Sequence, residues 1–220
     1  MDKNRQAILL MKERKYEEAA KLFNEIIEEN PRDPIGYINF GNLLLDIDEK
    51  ESAERFFLKA IDLDANAATA YYGLGNLHFE QENYQKAQEY FQKALESGLD
   101  EADVFYLLGL SLQNQEQFKL ALPYLLRATE LEPEDIVYLF QYGLSLAQSN
   151  IIAEAKTVFT KVVAMDEGHS DAHYNLGVIA AFEDDSEKAL EHFNQALAFH
   201  PEHYLALNGK KQIEKFLEEN

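Results

Sequence analysis

Glycine recurs at a constant interval of 34 residues, at Gly41, Gly75, Gly109, Gly143 and Gly177. Alanine keeps the same period at Ala19, Ala53, Ala87, Ala121, Ala155 and Ala189, and so does a bulky apolar column of Phe23, Phe57, Phe91, Leu125, Phe159 and Phe193. Three columns with one spacing and no insertion mean that a single structural unit is copied in tandem. A unit this small leaves an apolar face uncovered, so its copies have to stack on one another. The 220 residues hold six units, 1–33, 34–67, 68–101, 102–135, 136–169 and 170–203, followed by residues 204–220.

The pattern inside a unit is helical. Tyr71, Leu74, Gly75 and His78 fall at i, i+3, i+4 and i+7, one stripe of a first helix. Ala87, Phe91 and Ala94 form the facing stripe of a second. Glycine within a helix costs about 1 kcal/mol relative to alanine. Its repeated use implies that a neighbouring group comes too close for a side chain. With only 10 glycines and 5 prolines, long loops are not expected. Asn30-Pro31, Glu132-Pro133 and His200-Pro201 end second helices, and Pro123 falls inside one and should bend its early turns.

These columns resemble the tetratricopeptide repeat family, whose units run aromatic, Leu-Gly, small residue, aromatic, small residue, proline. Repeat six gives His173, Leu176-Gly177, Ala189, Phe193, Ala196 and Pro201 in that order. The resemblance covers residues 1–203 and is similar to a stand-alone bacterial multi-repeat protein of that family. It implies an all-α, right-handed solenoid of six helix-turn-helix repeats, with residues 204–220 as a capping helix. On that helix Lys210 and Lys211 occupy the leucine and glycine slots, while Leu205, Ile213 and Leu217 share a face that should cover the last repeat.

The resemblance also implies a concave groove lined by first helices, in which a peptide or protein segment is held. Its slot after the aromatic contains Ile38, Tyr72, Tyr106, Phe140 and Tyr174. Tyrosine offers a large contact area with a polar tip, which suits recognition. The slot after the glycine contains Asn42 and Asn76, similar to asparagines that clamp a peptide backbone. Asn39 and Asn175 fall in the slot before Leu-Gly, as parts of an interrupted amide ladder. Family members that bind acidic chaperone C-termini line the groove with lysine and arginine. Here Asp46 and Glu80 share a column with Lys12, so an acidic chaperone tail is not the expected partner.

The chain carries 40 acidic against 20 basic residues, a net charge of −20. Nucleic acid and anionic membranes are disfavoured, and a neutral or basic partner with apolar anchors is favoured. No apolar stretch is long enough to span a membrane, and the N-terminal run Ala7–Met11 is too short for a signal core. With no cysteine, a cytoplasmic protein is expected. No phosphate loop, nucleophile elbow or metalloprotease motif is present, so no enzyme, cofactor or metal is expected. His169 and His173 at i, i+4, with His203 one repeat later, lack a convergent third ligand. The reading is an adaptor or scaffold; the alternatives are a self-assembling structural protein and the regulatory subunit of an enzyme.

Overall fold

The computed structural model describes residues 2–219; Met1 and Asn220, the ends of the expected first repeat and last helix, lie outside it. Among the described residues there are thirteen α-helices and no strand. First helices are α1 (Lys3–Lys12), α3 (Pro34–Asp46), α5 (Ala68–Glu80), α7 (Ala102–Gln113), α9 (Ile136–Gln148) and α11 (Ser170–Phe182). Second helices are α2 (Tyr16–Glu29), α4 (Lys50–Leu63), α6 (Tyr84–Glu96), α8 (Phe118–Leu131), α10 (Ile152–Met165) and α12 (Ser186–Phe199); α13 is Tyr204–Glu218. The six expected repeats plus a terminal helix are therefore present. The chain divides into two compact units, Met1–Glu116 and Gln117–Asn220.

The turn inside each repeat is built the same way. Arg14, Asp48, Glu82, Glu116, Asn150 and Asp184, again 34 residues apart, have φ between 58° and 63°. This left-handed residue follows the first helix, and in repeats one, two, three, five and six the next N–H reaches back five residues. Lys15 donates to the Leu10 carbonyl at 2.8 Å and Asn83 to that of His78 at 2.9 Å. That is a Schellman closure, made here without glycine. Helix starts are capped by the carboxylates of Asp33, Asp135 and Asp185, with Pro34 in the first turn of α3.

The glycine columns exist because phenylalanine rings lie against them. A Cβ on Gly41 would sit 2.7 Å from the Phe57 ring, and one on Gly73 2.5 Å from the same ring. Phe91 is as close to Gly75, Phe159 to Gly143, and Phe193 to both Gly177 and Gly209. Phe57 and Phe193 thus fill the joint between their own first helix and the next element, and the phenylalanines of this column are buried. Ala19, Ala53, Ala87, Ala121, Ala155 and Ala189 are all completely buried in the same layer.

The aromatic slot adds a polar lock. The Tyr37 hydroxyl donates to the Pro31 carbonyl and the Tyr71 hydroxyl to that of Ala65, both at 3.2 Å. His173 makes the equivalent contact to the Glu167 carbonyl at 3.1 Å. In repeat one, Lys3 occupies this slot and its ammonium bridges Glu25 and Glu29 instead. Helix α8 runs as one element through Pro123.

The last helix departs from expectation. Gly209 lets α13 dock on Phe193 as Gly73 does on Phe57, and Ala206 is buried. Ile213 packs against this cluster. Leu205 and Leu217, however, are 54% and 49% exposed, so they do not cover the last repeat.

Candidate functional site

The slot after the aromatic is set by the phenylalanine joints beneath it. Tyr72 lies over Phe91 with centroids 5.9 Å apart, Phe140 over Phe159 at 5.7 Å, and Tyr174 over Phe193 at 6.1 Å. One face of each ring is spent on packing, which leaves these residues half-buried with an outward edge. Tyr106 is half-buried as well, whereas Ile38 is only 8% exposed and belongs to the core of the first unit. Asn39 donates its amide to the Asn4 Oδ1 at 3.2 Å, linking α3 to α1. Asn175 turns onto the Asp171 carbonyl of its own helix at 2.7 Å.

The first unit carries a cleft of about 480 Å³ on α3 and α5. Its polar walls are Asn42, Asp46, Asn76 and Glu80, and its apolar walls are Leu45, Phe79 and Leu107. Asn42 is exposed, while the Asn76 side chain lies against the Tyr72 hydroxyl. Burial holds the Tyr72 hydroxyl above its usual pKa, and the Asn76 contact partly opposes this. Burial likewise raises Asp46 above the ordinary carboxylate value. Glu80 pairs with Lys50 at 3.2 Å, and Lys50 also reaches Asp48 at 3.4 Å. This cleft therefore offers amides and carboxylates, suited to backbone groups and a basic side chain.

The second unit has a larger and more apolar cleft, about 630 Å³, on α9, α11 and α13. Phe140, Leu144, Tyr174, Val178, Phe182 and Leu205 supply its apolar walls, with Gln148, Asp171 and Asn175 at its polar edges. Phe182 is 79% exposed. A smaller space of about 410 Å³ continues between α11 and α13, past Leu205 to Gly209 and Ile213. Histidines back these walls: His169 lies 4.6 Å from the Phe140 ring and His203 5.2 Å from that of Tyr174. His203 Nε2 is 3.1 Å from Asp171 Oδ1.

The structure thus gathers Asn42 and Asn76 in one cleft, and Phe140, Tyr174 and Asn175 in another. Sequence reading passed over Phe182 and gave Leu205 only a capping role. The signal for Phe182 was available: its column holds Lys12, Asp46, Glu80, Asn114 and Gln148 in the other repeats. A phenylalanine in a column of polar side chains marks an apolar residue facing water. Among the described residues, no group of three or more His, Cys, Asp or Glu side chains is placed to hold a metal ion, and no helix is long and apolar enough to cross a membrane.

Helix pairs of constant length, locked by a ring-on-glycine joint and bearing clefts on their first helices, define a helical-repeat protein of the kind that binds other proteins. Tetratricopeptide repeat models match residues 10–74, 68–96, 102–135 and 170–203. The chain belongs to the tetratricopeptide repeat family. It is similar to the crystal structure of YrrB, described as a tetratricopeptide protein with an unusual peptide-binding site. The two are 48% identical with a TM-score of 0.84, over 87% of this chain and 99% of that one. By sequence, the TPR repeat-containing protein YrrB of Bacillus subtilis (strain 168) is 54% identical over 41 residues, 19% of this chain and 20% of that protein's length. PilF of Pseudomonas aeruginosa shares the fold at 15% identity, with a TM-score of 0.78 over 96% of both chains. MamA of Desulfovibrio magneticus RS-1 shares it at 24% identity and a TM-score of 0.69, over 76% of this chain and 94% of that one.

Proposed function

We propose that the protein is an adaptor that captures a peptide or protein segment without covalent chemistry, using the outward faces of its first helices. The observation that carries this reading is the apolar cleft of the second unit, where Phe182, Leu205 and Val178 are 79%, 54% and 41% exposed beside the half-buried Tyr174. A contiguous apolar patch is costly to keep in water and marks an interaction site. Apolar anchors of the ligand fill this cleft. In the first unit, Asn42 and Asn76 hold backbone groups of a ligand, and Asp46 accepts a basic side chain. The charge of −20 favours a basic or neutral partner over an acidic one.

Selection of a random peptide library on the full-length chain, followed by calorimetry on the enriched peptides, tests this. The enriched sequences should combine apolar anchors with lysine or arginine. Tyr174→Ala together with Phe182→Ser should weaken them at least about tenfold, roughly 1.4 kcal/mol or more, with helicity unchanged. Equal affinity for wild type and the double variant would remove the second-unit cleft from the site.

A further inference from the structure

Five of the six histidines fall between residues 169 and 203, and peptide capture assigns them no role. Two of them meet between α11 and α12, where His173 Nδ1 lies 3.2 Å from His192 Nδ1. His173 Nε2 faces the Glu167 carbonyl, which can only accept, so Nε2 carries a hydrogen. The tyrosine hydroxyls of repeats two and three donate from the same slot. In the neutral His173 ring, Nδ1 is then a lone pair, and the His192 Nδ1–H donates to it. One extra proton is accommodated: a charged His173 donates to a His192 whose own hydrogen has moved to Nε2. A second proton is not, because two positive rings would point N–H groups at each other across 3.2 Å.

The surroundings do little to absorb that second charge. His173 is buried, with the Phe199 ring stacked on it at 6.2 Å. His192 feels Lys156 of α10 and Glu191 of its own helix, which act in opposite directions, and Lys156 is itself paired with Glu183. Burial first, then the nearness of His173, hold the His192 pKa below the usual imidazole value.

A second observation concerns the helix starts. His169 Nδ1 accepts the Ala172 N–H that opens α11, and His203 Nδ1 accepts the Ala206 N–H that opens α13, both at 3.2 Å. Each cap needs the lone pair of a neutral imidazole, whereas α3, α9 and α12 are capped by aspartates. His203 also faces Asp171 through Nε2 at 3.1 Å, and His200 lies beside it at 5.7 Å. His169 rests on Phe140, a wall of the apolar cleft.

We infer that the sixth repeat is an acid-sensitive joint: as the His173–His192 pair takes up a second proton, the α11–α12 contact releases and the cleft wall formed by α11 loosens. That the joint governs ligand release rests on the binding proposal above; the joint itself does not.

Hydrogen exchange on the full chain, corrected for intrinsic rates, tests it without any ligand. Between about pH 7.5 and about pH 5.5, protection of the α11–α12 amides should fall at least about tenfold, the equivalent of one unit of proton linkage. His192→Gln keeps an N–H donor for His173 and cannot titrate, so it should retain protection at the lower pH. His173→Tyr, which restores the hydroxyl used in repeats two and three, should behave alike and serves as the second variant if the first folds poorly. Unchanged wild-type protection across this range, or an equal loss in wild type and both variants, overturns the joint. Because no ligand enters the measurement, that result leaves peptide capture standing, and a failed peptide selection leaves the joint standing.

Discussion

His78 is buried to 4% exposure with neither ring nitrogen hydrogen-bonded, and the nearest carboxylate, Glu54, stays 3.8 Å away. Its ring stacks flat on Tyr90 at 5.4 Å, so packing is satisfied while polarity is not. The same column holds Leu44, Leu112 and Leu146 in repeats two, four and five. His78→Leu should therefore stabilise the protein by about 1–2 kcal/mol, the cost of an unsatisfied buried polar group. Burial, then Lys86, lower the His78 pKa, with Glu54 and a weak approach of the Gln81 side chain, outside hydrogen-bonding geometry, opposing. The unfolded chain takes up this proton first, so the contribution is intact above the ordinary value of about 6.5 and is lost as pH falls through the depressed one. Thermal melts of wild type and His78→Leu at several pH values check both points: the gap between them should widen on acidification, and a constant gap would contradict the assignment.

At the level of helices and turns, the alternation of first and second helices and their order were legible in the sequence, because the 34-residue period repeats both stripes. The left-handed turn residue was not. Arg14 and Glu82 give no local hint of positive φ, and only the Schellman closure demanded by two tightly joined helices puts them there. A left-handed conformation costs an ordinary L-residue about 1–2 kcal/mol, part of which glycine recovers against its greater freedom when unfolded. Glu82→Gly should thus raise stability by about 0.5–1 kcal/mol, read from the denaturation midpoint; a loss of stability would mean that the glutamate side chain contributes more than the backbone strain costs. The terminal helix shows the same limit of sequence reading. The spacing of Leu205, Ile213 and Leu217 marks one face, yet only Ile213 is drawn inward, because α13 docks through Gly209 on Phe193 rather than through its leucines.

Across the whole molecule, slot chemistry named residues of the first helices without saying how exposed each would be or which would share a cleft. Ile38 and Phe182 illustrate why: exposure depends on what the next repeat places above a slot, which is not encoded within the slot's own repeat. The acidic excess acts at this scale too. If the ligand is basic, its association rate should fall about tenfold between about 20 mM and about 500 mM salt, while dissociation barely changes, measurable by stopped-flow fluorescence. A salt-independent rate would reduce the charge to a matter of solubility.

The ring-on-glycine joint bears on how such a chain can change its length. Phe57, Phe91, Phe159 and Phe193 each meet the glycine of their own first helix, at Gly41, Gly75, Gly143 and Gly177, so each of these blocks carries its closing contact within itself. Whole blocks of 34 residues can be gained or lost, since each brings its own ring-on-glycine contact with it. One inserted residue within a first helix, by contrast, turns everything beyond it by about 100° and carries the glycine away from its ring. Growth of this protein is thereby quantised in repeats, and a recognition surface can be lengthened by duplication before any of its residues is altered.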